Sequence, residues 1–279
     1  GSPASGKKNE VTEVFMLIDF HAHVFPDKLA KGAVASLAAK AHFTPYTDGT
    51  LAETRKLMKE QGVDVFVALN IAVSPRTERS VNDFAISLLQ EEGVVPFGSV
   101  HPYSENAFSE LERLKKAGIQ GIKFHNEYQD VYVDDARAEE IYRACAELGL
   151  IMLFHGGADR GFLPPVKTTP ERMRRAIDKC PEGKFVVAHL GGQDMVGDSV
   201  RYLADSPAYI DVSFASKTAE IGEAEDCIRA FGAERVLFGT DCPWDTPAET
   251  TAYLRKMRLS DAEREAIFYK NALGLLEKA

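Results

Sequence analysis

The chain has 279 residues, of which 45% are hydrophobic, and its 33 basic and 42 acidic side chains give a formal net charge of −9. This length suffices for one large core, and the acidic balance argues against nucleic acid or an anionic membrane as the main partner. We therefore expect a small-molecule partner, while formation of a homo-oligomer stays open. No apolar stretch approaches the roughly 20 residues that span a bilayer.

The N-terminal residues 1–15 precede the first strand-like run, and we interpret them as a cloning remnant or a flexible extension. We predict that residues 16–279 form a single domain. The four scattered cysteines include no Cys-x-x-Cys pair. This pattern is typical of free thiols in a reducing compartment, so we expect a cytoplasmic protein.

Short β-rich apolar runs alternate with amphipathic stretches that are long enough for crossover helices. The clearest predicted helices are residues 104–117, 135–148 and 170–179. Eight strands in a chain of this size predict an α/β fold, a closed (β/α)8 TIM barrel rather than an open doubly wound sheet. The predicted strands are residues 16–20, 63–69, 94–100, 119–124, 150–154, 184–188, 209–212 and 235–238. Predicted loops at the barrel mouth are residues 41–49, 126–133 and 156–169.

Two histidines, His21 and His23, stand one residue apart where the first strand ends. Other polar residues follow later strands: His155 after the fifth, His189 after the sixth and Asp241 after the eighth. Barrel enzymes build their active sites at these strand ends, so we expect the five side chains to converge. Imidazole and carboxylate groups suit zinc, manganese or iron(II) better than calcium or magnesium. The pattern predicts a metal centre.

Alternation of side chains along a strand predicts which face carries each polar residue. Asp19 shares the face of His21 but lies deeper, where we expect it to orient an imidazole ring. On the sixth strand, Phe185, Val187 and His189 are expected to share one inward face.

Five stretches spread over the predicted barrel carry a family resemblance: residues 18–23 (IDFHAH), 121–125 (GIKFH), 153–157 (LFHGG), 188–192 (AHLGG) and 238–244 (FGTDCPW). Together they resemble the amidohydrolase superfamily, in particular its amidohydrolase-related branch of metal-dependent TIM-barrel hydrolases. The resemblance implies one divalent metal ion held by His21, His23, His155 and Asp241. It also implies a catalytic role for His189, as an acid or a group that polarises a carbonyl.

The resemblance favours a hydrolase that uses metal-activated water to cleave an amide, lactone or ester-like bond of a small anionic molecule. Asp241 would act as both metal ligand and catalytic base. The alternative is a non-oxidative decarboxylase of a small carboxylic acid, because the branch includes enzymes similar to aminocarboxymuconate-semialdehyde decarboxylase. Some decarboxylases of the branch carry glutamate where this chain has His21, which favours hydrolysis. A barrel that only binds a metal or ligand is the third hypothesis.

Lys123 lies near a position at which binuclear superfamily members carry a carboxylated lysine that bridges two metals. We favour one ion, with zinc ahead of manganese and iron, and keep a binuclear site with carboxylated Lys123 as the alternative. With one ion, Lys123 becomes a point charge for an anionic substrate group. The other predicted substrate-binding residues are His125, Glu127, Asp159 and Trp244.

Overall fold

The computed structural model describes residues 16–277 and contains eight strands near the predicted positions, all pairing in parallel. The strands are β1 (Ile18–Ala22), β2 (Val65–Leu69), β3 (Val94–Phe97), β4 (Gly121–Phe124), β5 (Ile151–Phe154), β6 (Lys184–Val187), β7 (Tyr209–Asp211) and β8 (Val236–Leu237). The predicted N-terminal extension, residues 1–15, lies outside the described residues.

The strands form two hydrogen-bonded sheets, β1-β2-β3 and β4-β5-β6-β7-β8, whose edges meet on both sides. Between β3 and β4, the backbone N–H of Gly98 donates to the carbonyl of Gly121 at 3.0 Å. Between β1 and β8, the N–H of Phe20 donates to the carbonyl of Phe238 at 2.8 Å. These bonds close the ring, which confirms the predicted (β/α)8 barrel.

Helices surround the strands, and three of them correspond to the helices predicted from amphipathic periodicity. They are α1 (Asp27–Ala41), α2 (Leu51–Glu60), α3 (Glu78–Ser87), α4 (Ala107–Ala117), α5 (Asn126–Gln129), α6 (Ala136–Glu147), α7 (Pro170–Lys179), α8 (Val196–Leu203), α9 (Ala215–Thr218), α10 (Ile221–Phe231) and α11 (Pro247–Arg255). A π-helical turn (Ala266–Lys270) joins α12 (Asp261–Glu265) to α13 (Asn271–Leu276). Within residues 16–277, no helix is long and apolar enough to cross a membrane.

Two apolar layers hold the barrel together, one inside the strands and one between the strands and the helices. Ile18, Phe20, Phe97 and Leu153 belong to the inner layer and are almost completely buried. The outer layer contains the stacked rings of Phe124, Phe154 and Phe185. Alternate residues of each strand therefore serve different layers, which leaves the C-terminal strand ends free to carry polar groups.

We predict that Gly121→Ala destabilises the barrel, because an added Cβ at the start of β4 would lie 2.4 Å from the Phe97 ring. Phe97 is fully buried and packs edge-to-face against Phe20, with ring centroids 5.8 Å apart. The ring has little room to move, so overpacking should lower the free energy of unfolding by about 1–3 kcal/mol. Urea unfolding followed by circular dichroism measures this change.

Gly32→Ala is the matched control, because Gly32 is in the interior of α1 and an added Cβ there would have no described heavy atom of another element within 4 Å. At this position the same substitution should raise the unfolding free energy by about 0.5–1 kcal/mol, since alanine favours the helix. Equal effects at the two positions would contradict the packing explanation.

Candidate metal centre and active site

A β-bulge in β1 turns both paired histidines toward the mouth of the barrel. The pairing register with β2 shifts between Asp19 and Ala22. Ile18 and Phe20 point into the inner apolar layer before the shift, whereas His21 and His23 line the cavity after it. An extra residue in one strand breaks strict alternation, which explains how neighbours such as Phe20 and His21 can both face inward.

His189 reaches the same cavity by a different route from the one predicted. Val186 on β6 and Ala188 just after it point inward, while Phe185 and Val187 pack outward in the layer beneath the helices. The expectation that Phe185, Val187 and His189 share an inward face is therefore wrong. His189 has a left-handed backbone with φ of 59°, so the chain leaves the extended conformation there and redirects the imidazole.

Asp211, at the end of β7, fixes the ring of His21 and is a residue that the sequence analysis missed. Its Oδ2 lies 2.8 Å from Nδ1 of His21, and its Oδ1 accepts a hydrogen bond from the backbone N–H of His189 at 2.9 Å. The Ser213 hydroxyl also donates to Oδ1. Asp19, predicted to orient an imidazole, instead accepts from the backbone N–H of His21 at 3.0 Å and from the Thr240 side chain.

These contacts determine which nitrogen of each ring is available for a metal. The carboxylate of Asp211 accepts the Nδ1 hydrogen of His21, and the carbonyl of Leu69 accepts that of His23 at 3.1 Å. Both rings therefore present the lone pair of Nε2 to the cavity. Burial, followed by the charge of Lys123, lowers the pKa of His21 to about 3, so this ring is neutral at pH 7, as a metal ligand must be.

Asp241 completes a compact donor group with the two histidines. Its Oδ1 lies 3.3 Å from Nε2 of His21 and 3.1 Å from Nε2 of His23. One ligand atom from each of the three residues lies within 4.8 Å of the others. Two imidazole nitrogens and one carboxylate oxygen that face a common point fit zinc, manganese or iron(II).

His155, the fourth predicted ligand, lines the cavity but lies in a second group with His125 and Asp159. The rings of His125 and His155 stack with centroids 4.4 Å apart and planes inclined by 14°. Nitrogen lone pairs lie in the plane of the ring, so two stacked rings cannot both point at one ion. This group is therefore a poor metal site. His125 instead pairs through Nε2 with Oδ2 of Asp159 at 3.3 Å.

His155 and His189 contact each other through ring nitrogens. Nδ1 of His155 and Nε2 of His189 are 3.1 Å apart. The opposite nitrogens face the carbonyls of Ala158 at 3.3 Å and Ser213 at 3.0 Å, and the Ser213 hydroxyl also lies 2.9 Å from Nδ1 of His189. Two neutral rings can form this contact when the Ser213 hydroxyl donates to Nδ1 of His189, whereas without that donor a proton or a metal ion lies between the rings. Burial, reinforced by nearby positive groups, lowers the pKa of His155 well below its ordinary value, so this ring is neutral at pH 7.

Lys123 is almost fully buried beside the donor group, with Nζ 3.5 Å from Nε2 of His21. Burial lowers the pKa of Lys123 to about 8, although Asp211 and Asp241 act in the opposite direction. The side chain is thus a mainly protonated amine at neutral pH that readily exchanges its proton.

A cavity of about 320 Å³ opens above these groups, a size that suits a small organic ligand. The predicted site residues that line it are His21, His23, Lys123, His125, His155, Asp159, His189, Asp241 and Trp244. Glu127 is outside the described lining residues. Its Oε1 accepts from the backbone N–H of Lys167 at 2.7 Å, so it attaches the 156–169 loop to α5.

We predict that Asp211→Asn weakens divalent-metal binding by about 10- to 100-fold, the usual effect of losing a carboxylate behind a histidine ligand. The asparagine oxygen can replace Oδ1, but its NH2 group would then face Nδ1 of His21 and favour the tautomer with hydrogen on Nε2. Competition with a chromophoric chelator, using zinc and manganese in turn, measures the affinity.

Ser213→Ala is the control, because it removes a hydroxyl next to both rings but leaves the Asp211–His21 contact in place. It should weaken metal binding less than Asp211→Asn does. Unchanged affinity in Asp211→Asn would contradict the proposed control of the tautomer.

Solved structures similar to this chain share its barrel. An uncharacterized TIM-barrel protein from Bordetella bronchiseptica has a TM-score of 0.76 and 19% identity, covering 94% of this chain and 99% of that chain. A dihydroxybenzoic acid decarboxylase from Polaromonas sp., solved with bound manganese and the inhibitor 2-nitroresorcinol, has a TM-score of 0.70 and 18% identity. That comparison covers 94% of this chain and 97% of the other. At these identities the likeness establishes the fold alone.

Sequence comparison gives the family. A 4-sulfomuconolactone hydrolase from Rhizobium radiobacter is 26% identical over 143 residues, which are 50% of this chain and 45% of that relative. The aligned region is thus less than half of the relative's length. The family model described as amidohydrolase matches residues 18–278. Because this match covers most of the 279 residues, the chain belongs to the amidohydrolase family.

Proposed function

We propose that the protein is a metal-dependent hydrolase that cleaves an amide, lactone or ester-like bond of a small, anionic molecule. The observation that carries this proposal is the position of Asp241, whose carboxylate faces Nε2 of both His21 and His23 at the floor of the cavity. A carboxylate there can contact an ion and an attacking water together. The lactone hydrolase from Rhizobium radiobacter, a partial relative, supports the same class of reaction.

The donor set supports one divalent ion, which we propose to be zinc, with manganese and iron(II) as alternatives. A bound ion would act as a Lewis acid and make water more acidic near neutral pH. We propose His21, His23, Asp241 and, after a change of its ring contacts, His155 as its ligands. The alternative is two ions bridged by carboxylated Lys123, a modification that the lowered pKa of Lys123 would make easier.

Asp241 and His189 have complementary roles in the proposed hydrolysis. Burial raises the pKa of Asp241, but the neighbouring His21 and His23 outweigh it and lower the pKa to about 2. Asp241 is therefore ionised at neutral pH, takes a proton from the attacking water and returns it to the leaving group. We propose His189 as the donor of a hydrogen bond to the substrate oxygen on which negative charge develops. Lys123 adds positive charge beside the same oxygen.

A decarboxylase is the second candidate, because structural neighbours such as the dihydroxybenzoic acid decarboxylase share the fold. The presence of His21 at the first position of the histidine pair, where some decarboxylases of the branch carry glutamate, favours hydrolysis. A barrel that only binds a ligand is disfavoured, since a base and an acid both line the cavity.

We also propose a small molecule as the partner, with no role for nucleic acid or a membrane, and leave homo-oligomers open. The net charge of −9 supports this choice of partner. The four cysteines are buried free thiols, which supports the proposed cytoplasmic location.

The reaction class is tested by supplying zinc- or manganese-loaded protein with lactones, amides and hydroxylated aromatic acids. Acid release and carbon dioxide are recorded in the same reactions. We expect lactones or amides to release acid without carbon dioxide, and chelation of the metal to stop this reaction. Carbon dioxide from the aromatic acids, without hydrolysis of any lactone or amide, would favour the decarboxylase instead.

The variant Asp241→Asn tests whether Asp241 is the catalytic base. It should lower kcat by about 10²- to 10⁴-fold, the usual contribution of a positioned acid–base group, and should reduce metal content far less. Asp178→Asn is the matched control, because this carboxylate is exposed on α7 and pairs with Arg174. Full activity in Asp241→Asn would exclude its role in proton transfer.

A further inference from the structure

We propose that the substrate carries an uncharged apolar arm, alkyl or aryl, that binds between α1 and α3 while its carbonyl lies at the polar floor. This inference rests on the proposed function for the position of the carbonyl. It adds the substrate class: a carbonyl compound with a hydrophobic substituent, and not a compound with a charged group on that arm.

One wall of the cavity is apolar and is formed by α1, α3 and the loops after β1 and β2. Its side chains are half-buried, as expected for groups that border an open cavity. The apolar members that matter most are Phe25, Leu37, Phe43, Ile71, Val81 and Phe84. The opposite side of the cavity contains the histidines, Lys123 and Asp241. The cavity is therefore polar at one end and apolar at the other.

The side chains of Asn70 and Ser80 on the apolar wall already donate their hydrogens to backbone carbonyls. Both amide hydrogens of Asn70 go to backbone carbonyls, of Ala68 at 3.3 Å and Phe97 at 2.8 Å. The hydroxyl of Ser80 donates to the carbonyl of Thr77 at 3.0 Å. A carboxylate on the arm would gain no donor from these groups.

The cations near this wall already have other partners. Among the described lining residues, lysine and arginine are represented by Lys123 and Arg160. Lys123 lies at the polar floor, and Arg160, whose guanidinium lies 5.9 Å from the centroid of the Phe43 ring, forms two hydrogen bonds with Asp194, at 3.0 and 3.2 Å. A charged arm would lose its hydration without gaining a partner, whereas an apolar arm gains from leaving water.

The rim indicates how far the arm extends. Leu29 on α1 is 63% exposed and Val73, after β2, is 44% exposed, yet both line the cavity. Apolar side chains therefore continue from the interior to the solvent edge. An arm of several carbons can stay in contact with apolar groups along this path.

Binding of alkyl hydroxamates to the zinc-loaded protein tests the proposal without requiring turnover. The probes are acetohydroxamate, octanohydroxamate and suberic acid monohydroxamate, whose chain ends in a carboxylate. Each buried methylene contributes about three- to fourfold in affinity. Allowing for incomplete burial, we expect octanohydroxamate to bind at least about 30-fold tighter than acetohydroxamate. Equal affinities for the three, or tightest binding of the suberic compound, would overturn the proposal.

Val73→Lys tests whether this wall is responsible. The substitution removes apolar contact and adds a cation. It should therefore lower the ratio of the affinity for octanohydroxamate to the affinity for the suberic compound by at least about fivefold. Leu163→Lys is the matched control: Leu163 is 91% exposed and is outside the described lining residues, so the preference should stay the same. An equal change in both variants would contradict the assignment to this wall.

Hydrolysis of γ-lactones with increasing alkyl chains separates this inference from the proposed function. If hydrolysis occurs but kcat/KM does not rise with chain length, the apolar arm is refuted and the hydrolase stands. If no lactone or amide reacts but the hydroxamates show the expected preference, the proposed reaction fails and the apolar subsite stands.

Discussion

The carboxylate of Asp211 connects three parts of the barrel mouth, and the chemistry of the site depends on it. It accepts hydrogen bonds from the ring of His21, the backbone of His189 and both the backbone and hydroxyl of Ser213. Burial raises the pKa of Asp211, but these contacts outweigh it and hold the pKa below its ordinary value. A buried, fully hydrogen-bonded carboxylate keeps its charge and sets the tautomer of His21.

The cavity joins this polar floor to an apolar wall, and the two come from different parts of the fold. Strand ends supply the proposed ligands and the acid–base groups, and the strands are held rigidly by the ring of backbone hydrogen bonds. Helix α1, helix α3 and the loops before them supply the wall. On such a barrel, changes in loops and helices can alter the substrate without disturbing the reacting groups.

Much of this arrangement could be predicted from the sequence because it follows from periodicity. Eight apolar runs alternating with helices predicted the barrel, and the polar residues after those runs predicted that His21, His155 and Asp241 would line one cavity. Local backbone geometry could not be predicted in the same way. The bulge in β1 and the left-handed conformation of His189 change the direction of side chains without an evident sign in the sequence.

The hydrogen-bond partners of two buried carboxylates, Asp211 and Glu127, also could not be predicted from the sequence. Asp211 is the last residue of β7, so a carboxylate near the end of the predicted seventh strand was the available signal. Glu127 was predicted to bind substrate, yet its carboxylate bonds to the 156–169 loop. Sequence position alone does not distinguish a carboxylate that faces a cavity from one that satisfies a nearby backbone N–H.

We propose that the paired histidines and Asp241 form the metal centre. Crystals of the zinc- or manganese-loaded protein, measured at the absorption edge of the metal, test it most directly through anomalous scattering. We expect an ion about 2.0–2.2 Å from Nε2 of His21, Nε2 of His23 and a carboxylate oxygen of Asp241. An ion bound instead by His125, His155 and Asp159, with none at the histidine pair, would contradict the account.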